Sequence, residues 1–139
     1  MKRFFSRLLF VCAMLSSATI LSAGTLEKEG RAWLDAQKDS AAINVDGTWD
    51  SEFGDLHLIQ SAGSRDVNGV GGGYGLAGVV SGKRLYLLFT SGRTVEYCAV
   101  VTSGSGNSMA GSYSNRLSRL RFGAGLCQEK NRPMYMTKK

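Results

Sequence analysis

One proline, one histidine and three cysteines stand in a chain of 139 residues. Beyond residue 24, no apolar run approaches the ~20 residues of a membrane-spanning helix. The near-absence of proline, with no Gly-X-Y period, excludes collagen. One His and a few separated Cys make no zinc set, and no acid-rich loop has calcium spacing, so no metal or other cofactor is expected. With 43% hydrophobic and 20% charged residues, wholesale disorder is excluded too. What the chain does have is glycine, 18 of them, and they fall where short strands would turn.

The first segment reads as an address. Lys2, Arg3 and Arg7 form a positive start, Leu8 to Leu15 is apolar, and Leu21-Ser22-Ala23-Gly24 ends in small residues. That order is a secretory signal peptide over residues 1–24, cut near Ala23 or Gly24. A retained anchor ranks below it, because the apolar stretch is short and interrupted by Ser16, Ser17 and Thr19. Lipidation at Cys12 is rejected, since Val11 precedes it and it lies within the apolar stretch. The expected destination is the periplasm or the exterior.

After cleavage, 14 Lys or Arg face 11 Asp or Glu, a net +3 rather than the +6 of the whole chain. Residues 25–66 hold nine acids and four bases, whereas residues 67–139 hold two acids and ten bases. A basic C-terminal half of this kind suits anionic glycan or lipid headgroups, and a secreted chain has little call for nucleic acid. Cys98 and Cys127 remain, and an even count in an oxidising compartment suggests one disulfide, worth roughly 3–4 kcal/mol on the chain-entropy model. Two buried thiols are the other reading. Strands that are neighbours-but-one lie ~10 Å apart, so the bond needs Cys127 at the loose end of its strand.

Leu26 to Ala42 carries an incomplete helical stripe with Trp33 and Leu34, weakened at Gly30 by about 1 kcal/mol. From Val45 the period becomes two. Gly47-Thr48-Trp49 opens a first strand, and six or seven more follow at spacings of about ten residues, with tight turns and no helical crossover between them. The last strand is expected over Leu117 to Cys127. The fold class is therefore all-β, a small antiparallel up-and-down meander barrel of seven to eight strands after a short helix. The divisions are signal peptide 1–24, helix and linker 25–44, barrel 45–131 and a basic tail 132–139. A weak internal echo supports the meander: Val67-x-Gly69, Leu76-x-Gly78 and Met109-x-Gly111 each place an apolar residue two before a glycine. Glycine there permits the close strand approach that a tightly coiled barrel needs.

The Gly47-Thr48-Trp49 opening, with the meander behind it, resembles the calycin-type barrels of the lipocalin and avidin superfamily. The resemblance implies an indole packed across one barrel end with a last-strand arginine over it, a place for Arg119 or Arg121. It covers residues 45–128. No biotin-contacting residues can be matched, so biotin binding is not implied.

Catalytic chemistry finds few carriers. Gly73-Tyr74-Gly75-Leu76-Ala77-Gly78 spells G-x-G-x-x-G, but strand and turn follow it instead of a helix N-terminus. Gly78 to Lys83 imitates a phosphate loop one residue short, with Arg84 where Ser or Thr should stand. His57 with Asp55 lacks a nucleophile elbow and reads as a solvent-facing strand pair. Asp46, Asp50, Glu52 and Asp55 cluster at the first hairpin as solvated turn residues. The chain is not expected to be an enzyme.

The tyrosines point elsewhere. Tyr74, Tyr86 and Tyr113 near strand middles or ends suit a binding mouth for a small ligand or a partner, each with an apolar face and a hydroxyl. Tyr97 shares the strand face of Val95, Ala99 and Val101 and reads as core. The leading expectation is a secreted, non-enzymatic barrel that binds a small ligand or partner. Second comes an interaction or inhibitor module acting through a loop such as Ser103 to Ser108. A small outer-membrane barrel ranks third, because Leu85 to Phe89 is apolar on both faces where such barrels need a polar lumen.

Overall fold

Residues 26–115 and 132–139 are described in a computed structural model. A helix, α1 (Lys28–Asp35), precedes eight strands: β1 (Gly47–Ser51), β2 (Gly54–Ile59), β3 (Asp66–Gly71), β4 (Tyr74–Ser81), β5 (Arg84–Ser91), β6 (Thr94–Ser103), β7 (Ser108–Asn115) and β8 (Arg132–Lys138). Each strand pairs antiparallel with the next, and β8 returns to β1 with Lys138 opposite Trp49, which closes the barrel. The expected helix-then-meander barrel is the fold the chain adopts. No helix among the described residues is long and apolar enough to cross a membrane.

The interior is filled by alternation of large and small. Leu56, Leu85, Leu87, Phe89, Ala99, Val101 and Met134 are all 0% exposed, so no water-sized space adjoins them. The glycines of the internal echo explain how eight strands wrap this tightly. Gly69 lies opposite Leu58, Gly78 opposite Leu87, and Gly111 opposite Met134, so each leaves its volume to a buried large residue across the ladder. A Cβ at Gly78 would stand 2.6 Å from the Tyr86 carbonyl oxygen. At Gly69 and Gly111 it would overlap the His57 and Val100 carbonyl oxygens. The apolar partners of the echo, Val67, Leu76 and Met109, are buried as their positions predict.

The helix lies on the outer wall of β4–β6. Leu34 packs with Val79, Leu88, Val95 and Cys98 in a second apolar cluster. Gly30, the weak point of the helical pattern, is the point of closest approach: a Cβ there would come within 3.0 Å of Leu88 and Val95. Glu27 Oε1 accepts the Val95 N–H at 2.6 Å and ties the helix start to β6. The helix stops at Asp35, short of the expected Ala42, because the following backbone bonds elsewhere. Asp39 N–H donates to Ser81 Oγ, Gly82 N–H to Ser40 O, and Ala42 N–H to Gly82 O. Arg65 donates to the Gln37 and Val80 carbonyls and holds this strap from the other side.

One end of the barrel is closed by the strap's continuation. Val45 N–H donates to Gln60 Oε1 at 2.7 Å, Gln60 Nε2 to Ser64 O at 2.8 Å, and Trp49 Nε1 to Val45 O at 2.9 Å. The buried amide is thereby satisfied by backbone on both sides, as a polar group at a core boundary must be.

Two expectations need correction, and others fall outside the described residues. The stretch read as a basic tail, 132–139, is the closing strand: Met134 and Met136 point inward, 0% and 1% exposed, and alternate with exposed Tyr135 and Thr137. Methionine carries little strand signal and Pro133 argued against one, which hid that alternation. The expected strand Leu117 to Cys127 lies wholly outside the described residues, as do the signal peptide 1–24 and Cys127. The Cys98–Cys127 disulfide is not carried forward: no disulfide joins two described residues, and Cys127 lies outside them. Cys98, the one cysteine among them, is fully enclosed in the apolar cluster beneath α1.

Candidate functional site

The end opposite Trp49 is aromatic. The meander brings the start of β4, the end of β5, the start of β6 and the end of β7 to one rim, and with them Tyr74, Phe89, Tyr97 and Tyr113. Phe53, at the tip of the β1–β2 turn, folds its ring over this rim. It stacks on Phe89 at 4.2 Å between centroids and meets Tyr97 and Tyr113 edge-on at 5.2 and 5.0 Å. Tyr74 stands edge-on to Phe53 at 6.2 Å and to Tyr97 at 5.7 Å. Such edge-to-face contacts place the positive ring edge on a negative ring face. Phe89 is the buried floor, while Phe53 and the three tyrosines are half-buried.

The glycines of the β3–β4 turn fit this arrangement. Gly72, at φ +61°, lies under the Phe53 backbone, and a Cβ there would stand 2.7 Å from the Phe53 carbonyl oxygen. Turn geometry therefore lets one hairpin tip lie down against another. Phe53 N–H donates to Ser51 Oγ, which in turn donates to Gly54 O at 2.8 Å.

Burial raises the Tyr74 hydroxyl above its ordinary pKa of 10.0, with the neighbouring Tyr97 and the Glu96 charge adding to the effect. The neutral phenol is thus favoured in the folded state. Its contribution to stability is complete below pH 10.0 and is lost as pH rises through the raised folded value. Urea midpoints measured from about pH 9 to about pH 12 fall more steeply in the native chain than in Tyr74→Phe, whose ring has no proton to lose. Coincident slopes would refute a raised Tyr74 pKa in the folded chain.

Of the tyrosines expected to bind, the structure brings Tyr74 and Tyr113 together and sends Tyr86 elsewhere. Tyr86 faces outward from β5 and meets Trp33 of the helix edge-on at 5.5 Å, so it docks α1. Tyr97 joins the rim instead. It does not share a face with Val95, because the β5–β6 register shifts between Phe89 and Thr90: Phe89 opposes Tyr97, whereas Thr90 opposes Val95. The extra residue, Glu96, is a β-bulge, and it sends Val95 to the outer cluster and Tyr97 inward. Phe53 was not foreseen either. A bulky aromatic at the tip of a tight turn between Glu52 and Gly54 is the signal that could have found it, since turn tips are normally small or polar.

The other candidates disperse. Arg119 and Arg121 lie outside the described residues; among the described residues a cation over the Trp49 ring is Lys138, with Nζ 5.9 Å from the centroid. His57 is exposed and its Nδ1 is hydrogen-bonded to Thr48 Oγ1 at 3.0 Å. Asp55 pairs with Lys139, and Glu52 accepts the Tyr135 N–H, so these carboxylates are structural contacts of the β1–β8 seam. No group of three or more His, Cys, Asp or Glu among the described residues is placed to hold a metal. Lys83 and Arg84 lie at the Trp49 end and Arg93 at the tyrosine end, so the described bases form no single patch. The Ser103–Ser108 loop is tied to itself by Gly104 N–H to Ser108 O and Ser108 N–H to Ser105 O. No family model, no curated protein and no solved structure matches the chain.

Proposed function

We propose that this is an exported, non-enzymatic barrel that binds a small ligand at its tyrosine-rimmed end rather than inside the barrel. The observation that carries the reading is the convergence of Tyr74, Tyr97 and Tyr113 at one rim above an interior already filled with aliphatic side chains. An eight-stranded barrel has room for side chains or one small ligand, and here side chains occupy it. The rim offers what the interior does not: half-buried ring surface with hydroxyls that donate and accept. The apolar interior also weighs against an outer-membrane barrel, whose lumen is polar.

Native mass spectrometry of the protein recovered from its producing cells tests this directly. The expected result is a small-molecule adduct whose occupancy falls at least about tenfold, equivalent to about 1.4 kcal/mol, in a Tyr74→Ala/Tyr113→Ala variant that remains folded. Cell fractionation should place the mature chain, starting near Thr25, in the periplasm or medium. A folded native protein without adduct, or an adduct indifferent to both substitutions, would overturn the reading.

A further inference from the structure

We infer that the Phe53 ring is an exchangeable plug, and that the socket it fills takes the ring of a monocyclic aromatic ligand bearing a hydrogen-bonding substituent. This rests on the reading that the tyrosine end is the binding end, and it names the ligand class. The present occupant is a phenyl ring, stacked on Phe89 at 4.2 Å and walled edge-on by Tyr97 and Tyr113 at 5.2 and 5.0 Å. The socket is one ring deep, because Phe89 beneath it is 0% exposed and nothing further down is open. A guest ring of the same size would regain the same contacts. A bare phenyl leaves the hydroxyls of Tyr74 and Tyr97 unused, whereas a ligand hydroxyl or amide can join them.

Exchange is feasible because Phe53 belongs to a turn and not to a ladder. Its N–H is held by Ser51 Oγ, a bond local to the hairpin that travels with it, and Gly54 at φ +89° follows immediately. Swinging the ring out exposes one half-buried phenyl and frees a socket already shaped for another. Ligand binding to the native chain therefore carries a penalty that a plugless variant does not, in the manner of a binding-competent state populated only in part.

Phenol and p-cresol, with cyclohexanol as the non-aromatic control, are the probes, titrated into the folded chain while ring resonances are followed by NMR. In Phe53→Ala the emptied socket should bind phenol. In the native protein phenol should bind about 30-fold more weakly, equivalent to about 2 kcal/mol at 1.4 kcal/mol per decade. It should shift the resonances of Phe53, Tyr97 and Tyr113 together, and cyclohexanol should bind less tightly than phenol to both. Phenol binding to Phe53→Ala with no movement of Phe53 in the native protein at a hundredfold higher concentration would make Phe53 a fixed core residue and overturn the proposal. So would equal binding of cyclohexanol. If Phe53→Ala does not fold, the native titration decides alone: concerted shifts at Phe53 support the plug, and their absence overturns it. An adduct lost on changing Tyr74 and Tyr113, together with an immobile Phe53, would leave the binding end standing and remove only the plug.

Discussion

Gly111→Ala should destabilise the barrel by at least about 3 kcal/mol, the upper part of the range for overpacked cores. The new Cβ would overlap the Val100 carbonyl oxygen and lie 2.8 Å from the Val101 Cα. Both are backbone atoms of a paired strand, so no rotamer change relieves the clash, and β6 and β7 must separate where they are hydrogen-bonded. Gly69→Ala should behave alike, because its Cβ would meet the His57 carbonyl. Gly73→Ala supplies the contrast. Nothing lies within 4 Å of its Cβ, but φ is +86°, so only the left-handed conformation is penalised, by roughly 1–2 kcal/mol. Thermal unfolding should show Gly111→Ala and Gly69→Ala well below Gly73→Ala, with midpoints lowered by about 10 °C or more for a domain of this size. Equal losses at all three would mean that these glycines serve turn conformation alone and that close strand approach does not shape the barrel.

That contrast bears on what could be read from the chain beforehand. Regular alternation from Gly47 to Val101, punctuated by Gly-containing turns, suffices to specify a closed meander, because a period of two leaves one face for a core and short turns leave no room for crossovers. The echo of apolar-x-Gly was legible for the same reason, since each unit repeats one physical need. Three features were not legible. The bulge at Glu96 is a one-residue insertion that puts Val95 on the face opposite to Tyr97, and periodicity read across it assigns Val95 wrongly while Tyr97 keeps the inward face of Ala99 and Val101. Strand β8 hides behind two methionines and a proline. The Phe53 plug depends on two turns, distant in sequence, meeting at one rim, which only closure of the barrel brings about. Two of the three rim tyrosines were found because strand ends mark barrel mouths, and Tyr86 was misplaced because the helix covers that part of the outer wall.

Trp49→Ala should cost about 3–5 kcal/mol, the range for emptying a large aromatic site. The indole is 3% exposed, packs within the main core, and its Nε1 donates to the Val45 carbonyl at 2.9 Å, fastening the strap that closes this end. Removing it leaves a void in the main core and deprives the Val45 carbonyl of its indole donor, and each is a separate loss. Trp49→Phe keeps most of the ring and drops the donor, so its deficit should fall near the roughly 1–3 kcal/mol of one unsatisfied buried group. Lys138→Met separates packing from charge. Its ammonium stands 5.9 Å from the ring on an exposed side chain, where a cation–π contact is worth about 0.5–1 kcal/mol, and methionine retains much of the stem that covers the indole. The expected order of loss is therefore Trp49→Ala, then Trp49→Phe, then Lys138→Met, read from urea midpoints at constant slope. If Lys138→Met proved as damaging as Trp49→Ala, the cation would be what holds the β1–β8 seam shut. The expected order instead assigns closure to a buried indole that ties strap to barrel, with the last-strand lysine as its cover.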